Sequence, residues 1–188
     1  MSEVFGYRVP ITAEVRDLAR SFYPIGRDYS RTDLGLEAPI VGAFGEAVFA
    51  TACREIMFAT EYVGNRLITH DFESSVGTIE VKTKATNYRP GGEFFAGISA
   101  RALEFQKADL LAFVSLWPKS NEEDAWSYQE GYVVGFIPRL DFVERARFEP
   151  TGTIMGGGRP STRDMWTVKF RELLPFTSIS AAKIPSSF

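Results

Sequence analysis

Hydrophobic and polar positions alternate most clearly over residues 67–84, which read LITHDFESSVGTIEVKTK. The alternation predicts two short strands, and the turn at Ser74–Gly77 is short enough to join them as a β-hairpin. Because side chains two apart in a strand share a face, the second strand would have one apolar and one polar face. The apolar face would carry Ile79, Val81 and Thr83, and the polar face Glu80, Lys82 and Lys84.

Three other segments have apolar residues at helical spacing. Residues 12–23 predict a first helix with Thr12 as its N-cap, and residues 38–60 predict the longest helix. Residues 100–107 predict a short third helix with Ser99 as its N-cap. The apolar face of the second helix would carry Val41, Phe44, Val48, Phe49, Ala52, Ile56 and Met57.

The second half of the chain is dominated by predicted strands. Residues 108–117 form an almost unbroken apolar run, which is typical of a strand covered on both faces. Residues 128–137 and 165–170 predict two further strands, separated by a glycine-rich loop at 150–163. Residues 171–188 are interpreted as a tail.

This order of elements predicts one α/β (α+β) domain over residues 1–188, with a central mixed sheet flanked by helices. The sheet would be mixed because a hairpin is antiparallel, whereas a crossover through the third helix favours a parallel neighbour.

Composition indicates a folded protein, since 45% of the residues are hydrophobic and 14% are aromatic. The single Cys53 excludes an intrachain disulfide and a cysteine-based zinc site, and it suits a reducing cytoplasm. No run of about 18 apolar residues predicts a membrane span, and the first residues do not resemble a secretory signal. We therefore expect a cytoplasmic protein without a membrane partner.

Net charge narrows the choice of partners. The charge of −3 and the sequence pI of about 5.3 argue against a protein that coats duplex DNA through a broad basic surface. They argue less against an enzyme, because a carboxylate-rich site itself contributes negative charge.

The hairpin also contains the most suggestive chemistry. Asp71, near the end of the first strand, would lie across from Glu80, and Lys82 would point the same way as Glu80. Paired carboxylates bind Mg²⁺, and a lysine can orient a water or neutralise charge on a phosphate. The structural alternative is that Glu80 and Lys82 are an ordinary solvated pair on an exposed face.

A third carboxylate, Glu46, lies at the flank of the apolar face of the second helix. It would either reach the hairpin site or pack its stem while its carboxylate contacts water; with the hairpin downstream, we favour the site. His70 is the only histidine, and alternation places it on the opposite face from Asp71, so it is not assigned to the site.

These residues together resemble a known signature. Asp71, followed after eight residues by Glu80-Val81-Lys82, resembles the motif of the PD-(D/E)xK nuclease superfamily, which has the restriction-endonuclease-like fold. Glu46 matches a glutamate that this family often carries on the preceding helix, and residues 98–114 resemble its second helix and buried strand. The resemblance covers roughly residues 40–117. The chain departs from the family name at His70, which replaces the proline.

The resemblance implies a nuclease that hydrolyses phosphodiester bonds with Mg²⁺ or Mn²⁺, with DNA favoured over RNA as its partner. Asp71 and Glu80 would ligate the metal, and Glu46 would bind a second ion or a metal water. Lys82 would position the attacking water. Nucleases of this fold often dimerise, so a homodimer is compatible with the resemblance.

Further nucleic-acid contacts would come from Lys84, from Arg101 and Gln106 on the third helix, and from Arg89. The Arg89 loop also carries Tyr88, which would stack on bases. Two alternatives stay open: a catalytically idle module of the same fold that binds nucleic acid or a protein, and an enzyme that uses the Glu-Lys pair on a different class of substrate.

Overall fold

The computed structural model describes residues 4–23, 37–64, 69–118, 127–154 and 160–182. Residues 155–159 of the predicted glycine-rich loop and residues 67–68 of the predicted hairpin lie outside the described residues. The helices are α1 (Ala13–Phe22), α2 (Glu37–Glu55), α3 (Ala100–Phe105) and α4 (Arg139–Arg145). The strands are β1 (Tyr7–Pro10), β2 (Thr60–Tyr62), β3 (Phe72–Ser74), β4 (Gly77–Ala85), β5 (Phe95–Ser99), β6 (Leu110–Trp117), β7 (Glu130–Pro138), β8 (Arg147–Glu149) and β9 (Met165–Lys169).

Six strands form a mixed sheet in the order β1-β7-β6-β4-β3-β2. Strands β4 and β6 pair in parallel, and the other neighbours pair antiparallel. A second, antiparallel sheet has the order β5-β9-β8. The prediction of an α/β (α+β) protein with a central mixed sheet flanked by helices is therefore confirmed.

The sheet is covered on both faces, as the burial of strand β6 shows. Its residues are buried along almost the whole strand, as the apolar run predicted. Alternate residues enter two different hydrophobic clusters, because successive side chains point to opposite faces. One cluster contains α1 and α2, and the other contains β5 and β9 of the small sheet. From β6, the first cluster takes Leu110, Ala112, Val114 and Leu116, and the second takes Leu111 and Phe113.

Helix α2 ends earlier than the apolar periodicity predicted. The N–H of Phe58 donates to the carbonyl of Cys53 at 2.8 Å, and the N–H of Met57 donates to the carbonyl of Arg54 at 3.1 Å. This is a Schellman motif, with Met57 in the left-handed region at φ 56°. Met57 is consequently 92% exposed, so its predicted place on the apolar face was wrong.

Sequence patterns also missed several short elements. Strand β5 before the third helix was not predicted, and α3 ends at Phe105 rather than at residue 107. Strands β1, β2 and β8 were not predicted. The start of the presumed tail forms two 3₁₀ turns, and Phe176 and Ile179 are buried in the core. Elements of three to five residues are too short to show a period.

Among the described residues, no helix is both long enough and apolar enough to cross a membrane.

Candidate active site

The site forms where β3 and β4 stop pairing as a regular ladder. The last regular pair is Phe72 with Ile79, so the ladder ends one residue before the predicted pairing of Asp71 with Glu80. Asp71 precedes β3 instead of ending a strand, and its N–H donates to the carbonyl of Ile79 at 3.0 Å. Its Oδ2 accepts the N–H of Val81 at 2.8 Å. The Asp71 carboxylate is therefore held directly against the backbone of β4.

Strand β4 presents its acidic and basic side chains on one face. Ile79 and Val81 are buried on the side of α2, whereas Glu80 and Lys82 are only partly buried on the other side, so the predicted alternation is confirmed. The Nζ atom of Lys82 lies 2.5 Å from Oε1 of Glu80. The ammonium thus lies within hydrogen-bond distance of one of the predicted metal ligands.

Helix α2 contributes the third carboxylate, Glu46. The hydroxyl of Tyr62 donates to Oε2 of Glu46 at 2.6 Å, which fixes the direction of the side chain. The ring of Tyr62 stacks on Phe22 with 3.8 Å between centroids. Sequence analysis missed Tyr62, because β2 has only three residues and shows no readable alternation.

The charges of the other three predicted residues all affect the pKa of Asp71. Burial raises the pKa of Asp71 well above its usual value, and the charges of Glu80 and Glu46 raise it further. The N–H of Val81 and the ammonium of Lys82 lower the pKa of Asp71, but they do not outweigh the rise. Asp71 is therefore under the influence of two other carboxylates and of Lys82, and the net effect is a raised pKa.

A divalent cation at this position would offset the negative charge of the carboxylates. Mg²⁺ and Mn²⁺ prefer oxygen ligands, and Mg²⁺ is usually held by one or two carboxylates while it keeps several waters. Across the described residues, no three carboxylate, imidazole or thiol groups form a ready-made metal cage. An ion held by Asp71 and Glu80 alone would keep several waters, and Glu46 would contact it through one of them.

Replacing Asp71 with asparagine is expected to raise the melting temperature of the metal-free protein at neutral pH. The amide removes a buried charge, yet its oxygen still accepts the N–H of Val81. Since the folded pKa of Asp71 is raised, the wild-type protein gains stability as the pH falls through that pKa, and the asparagine variant lacks this gain. Thermal melts across pH, with and without Mn²⁺, measure both effects.

The matched control is Asp17→Asn, which changes an exposed aspartate on α1 that pairs with Arg20. It should leave both the pH profile and the Mn²⁺-dependent stabilisation unchanged. The Asp71→Asn protein should gain no stability from Mn²⁺, since a ligand stabilises only the fold that binds it. An Asp71→Asn protein that is less stable than wild type and equally stabilised by Mn²⁺ would contradict this account of the site.

The residues predicted to contact nucleic acid have different surroundings. Lys84 is exposed beyond Lys82 on the polar face of β4, and Arg101 is exposed on α3. Gln106 is buried, and its Oε1 accepts the N–H of Ala108 at 3.4 Å, so this contact fixes its own loop. Arg89 is paired with Glu130 at the far end of the sheet.

His70 precedes β3 and contacts residues outside the candidate site. Its Nδ1 atom is 3.0 Å from the hydroxyl of Thr69, and its Nε2 atom is 3.5 Å from Oε1 of Glu73. These contacts orient the ring toward its own loop and strand.

No family model, curated protein or solved structure matches the chain. Any function assigned to the protein therefore depends on the geometry of Glu46, Asp71, Glu80 and Lys82.

Proposed function

We propose that the protein is a metal-dependent nuclease that hydrolyses phosphodiester bonds, with DNA as the favoured substrate. The observation that carries this proposal is the convergence of Glu46, Asp71, Glu80 and Lys82 at the end of the β3–β4 ladder. The same four residues give the chain its resemblance to the PD-(D/E)xK nucleases, and the mixed sheet with α2 and α3 is compatible with their fold.

Each residue has a chemical task in this proposal. Asp71 and Glu80 would hold Mg²⁺ or Mn²⁺, and the bound ion would supply Lewis-acid polarisation of the phosphoryl group. Glu46 would accept a hydrogen bond from a water, and Tyr62 holds Glu46 in position for this task. Lys82, which now bonds to Glu80, would donate to the oxygen on which negative charge develops.

Cleavage assays test the proposal. Labelled single-stranded, duplex, nicked and branched DNA, and RNA, are incubated with Mg²⁺, with Mn²⁺ or with a chelator. We expect at least one substrate to be cut when metal is present and none to be cut in chelator. Failure to cut any substrate, together with no stabilisation by Mn²⁺, would overturn the proposal.

One observation favours a second candidate, a catalytically idle module that binds nucleic acid or a protein. The contact between Lys82 and Glu80 already neutralises one predicted metal ligand, which is what a structural charge cluster would show. Such a module would bind its partner equally well with Mn²⁺ and with chelator.

A further inference from the structure

A second polar cluster lies where β6 ends and β7 begins. Glu130 is only 7% exposed, and Arg8 and Arg89 both donate to it, with Nε–oxygen distances of 2.9 Å and 3.1 Å. The hydroxyl of Tyr132 also donates to Glu130. Burial raises the pKa of Glu130, but the hydrogen bonds from Tyr132, Arg89 and Arg8 outweigh it and lower the pKa. The cluster therefore holds one ionised carboxylate and two guanidinium groups, with one positive charge in excess.

The two arginines keep the capacity to bind a ligand. Their side chains are 58% and 48% exposed for Arg8 and Arg89, although both hold Glu130. Each guanidinium has five N–H donors, and a single carboxylate cannot occupy ten. Arg89 also lies over the ring of Trp117, with 4.3 Å from its Cζ to the ring centroid. Its orientation is thus fixed in advance, which lowers the entropic cost of binding an anion.

The cluster lies on the same sheet face as the candidate active site. In the parallel pairing of β4 with β6, Lys82 is beside Phe113 and Lys84 is beside Ser115. Trp117 follows two residues after Ser115, so it points to the same face. At a rise of about 3.3 Å per residue, Trp117 is roughly 13 Å along the sheet from Phe113. Exposed Lys84 lies between the two sites.

The loop that carries Arg89 also exposes an aromatic residue. Tyr88 immediately precedes Arg89 and is 69% exposed, and the hydroxyl of Thr86 donates to its carbonyl at 2.6 Å. Cationic residues beside exposed aromatic rings are typical of surfaces that bind single strands, where the rings stack on unpaired bases. With a net charge of −3, the chain suits such a small contact better than a broad contact with a duplex.

We propose that Arg8, Arg89 and Tyr88 form a subsite for a single-stranded segment of the nucleic acid. The two arginines bind a backbone phosphate, and Tyr88 stacks on a base of the same strand. This inference rests on the proposed nuclease function and narrows its substrate to nucleic acid with an unpaired segment that leads away from Lys82.

Strand binding in chelator tests the subsite without cleavage. Fluorescence anisotropy compares a labelled single strand, as DNA and as RNA, with a duplex of the same sequence. We expect Tyr88→Ala to weaken single-strand binding roughly 5- to 100-fold. Arg89→Gln should weaken it as well and reduce the slope of log K against log salt by about 0.7. The control Arg20→Gln removes an exposed arginine of α1. It should change neither the affinity for the single strand nor the salt slope.

The variants are chosen so that folding does not confuse the result. Arg89→Gln leaves Arg8 on Glu130, and Tyr88→Ala changes an exposed ring, so both proteins should melt close to wild type. Unchanged affinity in both variants, or a wild-type protein that binds duplex as tightly as single strand, would overturn the subsite.

Cleavage, measured separately with metal, distinguishes the two proposals. A wild-type protein that cuts DNA, with both variants binding normally, overturns the subsite and retains the nuclease. A protein that cuts nothing and gains no stability from Mn²⁺, but needs Arg89 and Tyr88 for strand binding, supports the subsite and overturns the nuclease.

Discussion

Replacing Lys82 with alanine is expected to lower metal-dependent cleavage by a factor of about 10²–10³, the usual effect of removing one donor to a developing negative charge. Lys82 is the lysine whose charge lowers the pKa of Asp71, and Lys84 lies one step further along the same face of β4. Asp71 and Glu80 remain in the variant, and Mn²⁺ should therefore still raise its melting temperature. Initial rates at saturating metal, together with melts, measure the two effects.

Slower cleavage with unchanged stabilisation by Mn²⁺ would distinguish Lys82 from a metal-binding residue. Removal of a metal-binding residue would abolish both cleavage and stabilisation by Mn²⁺. Lys107→Ala is the matched control, because Lys107 is an exposed lysine that follows α3. The Lys107→Ala protein should cleave at the wild-type rate. A Lys82→Ala protein with wild-type turnover, purified free of host nucleases, would remove Lys82 from the mechanism.

The main features of the site were predictable because they depend on strand alternation. One tight turn joins β3 to β4 and fixes their register, which places Asp71 beside β4. The common direction of Glu80 and Lys82 follows from their spacing of two. The approach of Glu46 to Asp71 is not a local property, because it depends on how α2 packs across β4.

Features that depend on a few residues or on long-range pairing were not predictable. Tyr62 contacts Glu46 from a three-residue strand, and its role depends on that tertiary contact. Arg89 was predicted as a nucleic-acid contact on a loop, yet it forms an ion pair with Glu130, which is 41 positions away in the chain. Neither segment has a periodicity that predicts the ion pair between Arg89 and Glu130.

Two glycines of α2 offer a direct test of how the helix is positioned. A Cβ at Gly45 would lie 1.7 Å from Oγ1 of Thr83 and 2.7 Å from its Cβ, so the helix or β4 would have to move. A Cβ at Gly42, one turn earlier, would meet nothing within 4 Å. Replacing glycine with alanine should therefore have opposite effects on stability at these two positions.

Gly45→Ala is expected to lower the free energy of unfolding by about 1–3 kcal/mol, the usual cost of overpacking a tight contact. Gly42→Ala is expected to raise it by about 0.5–1 kcal/mol, because alanine restricts the unfolded chain and favours a helix. Each kcal/mol corresponds to a shift of roughly 2–4 °C in melting temperature for a chain of this size. Denaturant titrations of both variants measure the difference.

A double variant identifies the contact responsible. The hydroxyl of Thr83 is buried and has no hydrogen-bond partner among the described residues, so Thr83→Ala removes the clashing atom without breaking a hydrogen bond. Gly45→Ala with Thr83→Ala should recover part of the lost stability, but not all, since the Cβ of residue 83 remains. Equal losses in the single and double variants would exclude this contact as the cause.

The consequence for the site follows from the next residue along α2. Glu46 is bonded to Gly45, and its carboxylate is held by the hydroxyl of Tyr62 at 2.6 Å. A helix displaced by Gly45→Ala should therefore move Glu46 away from Asp71 and slow cleavage more than the loss of stability explains, whereas Gly42→Ala should cleave normally. If both variants cleave like wild type while Gly45→Ala is destabilised, Glu46 has no part in the reaction, and the site is reduced to the hairpin residues.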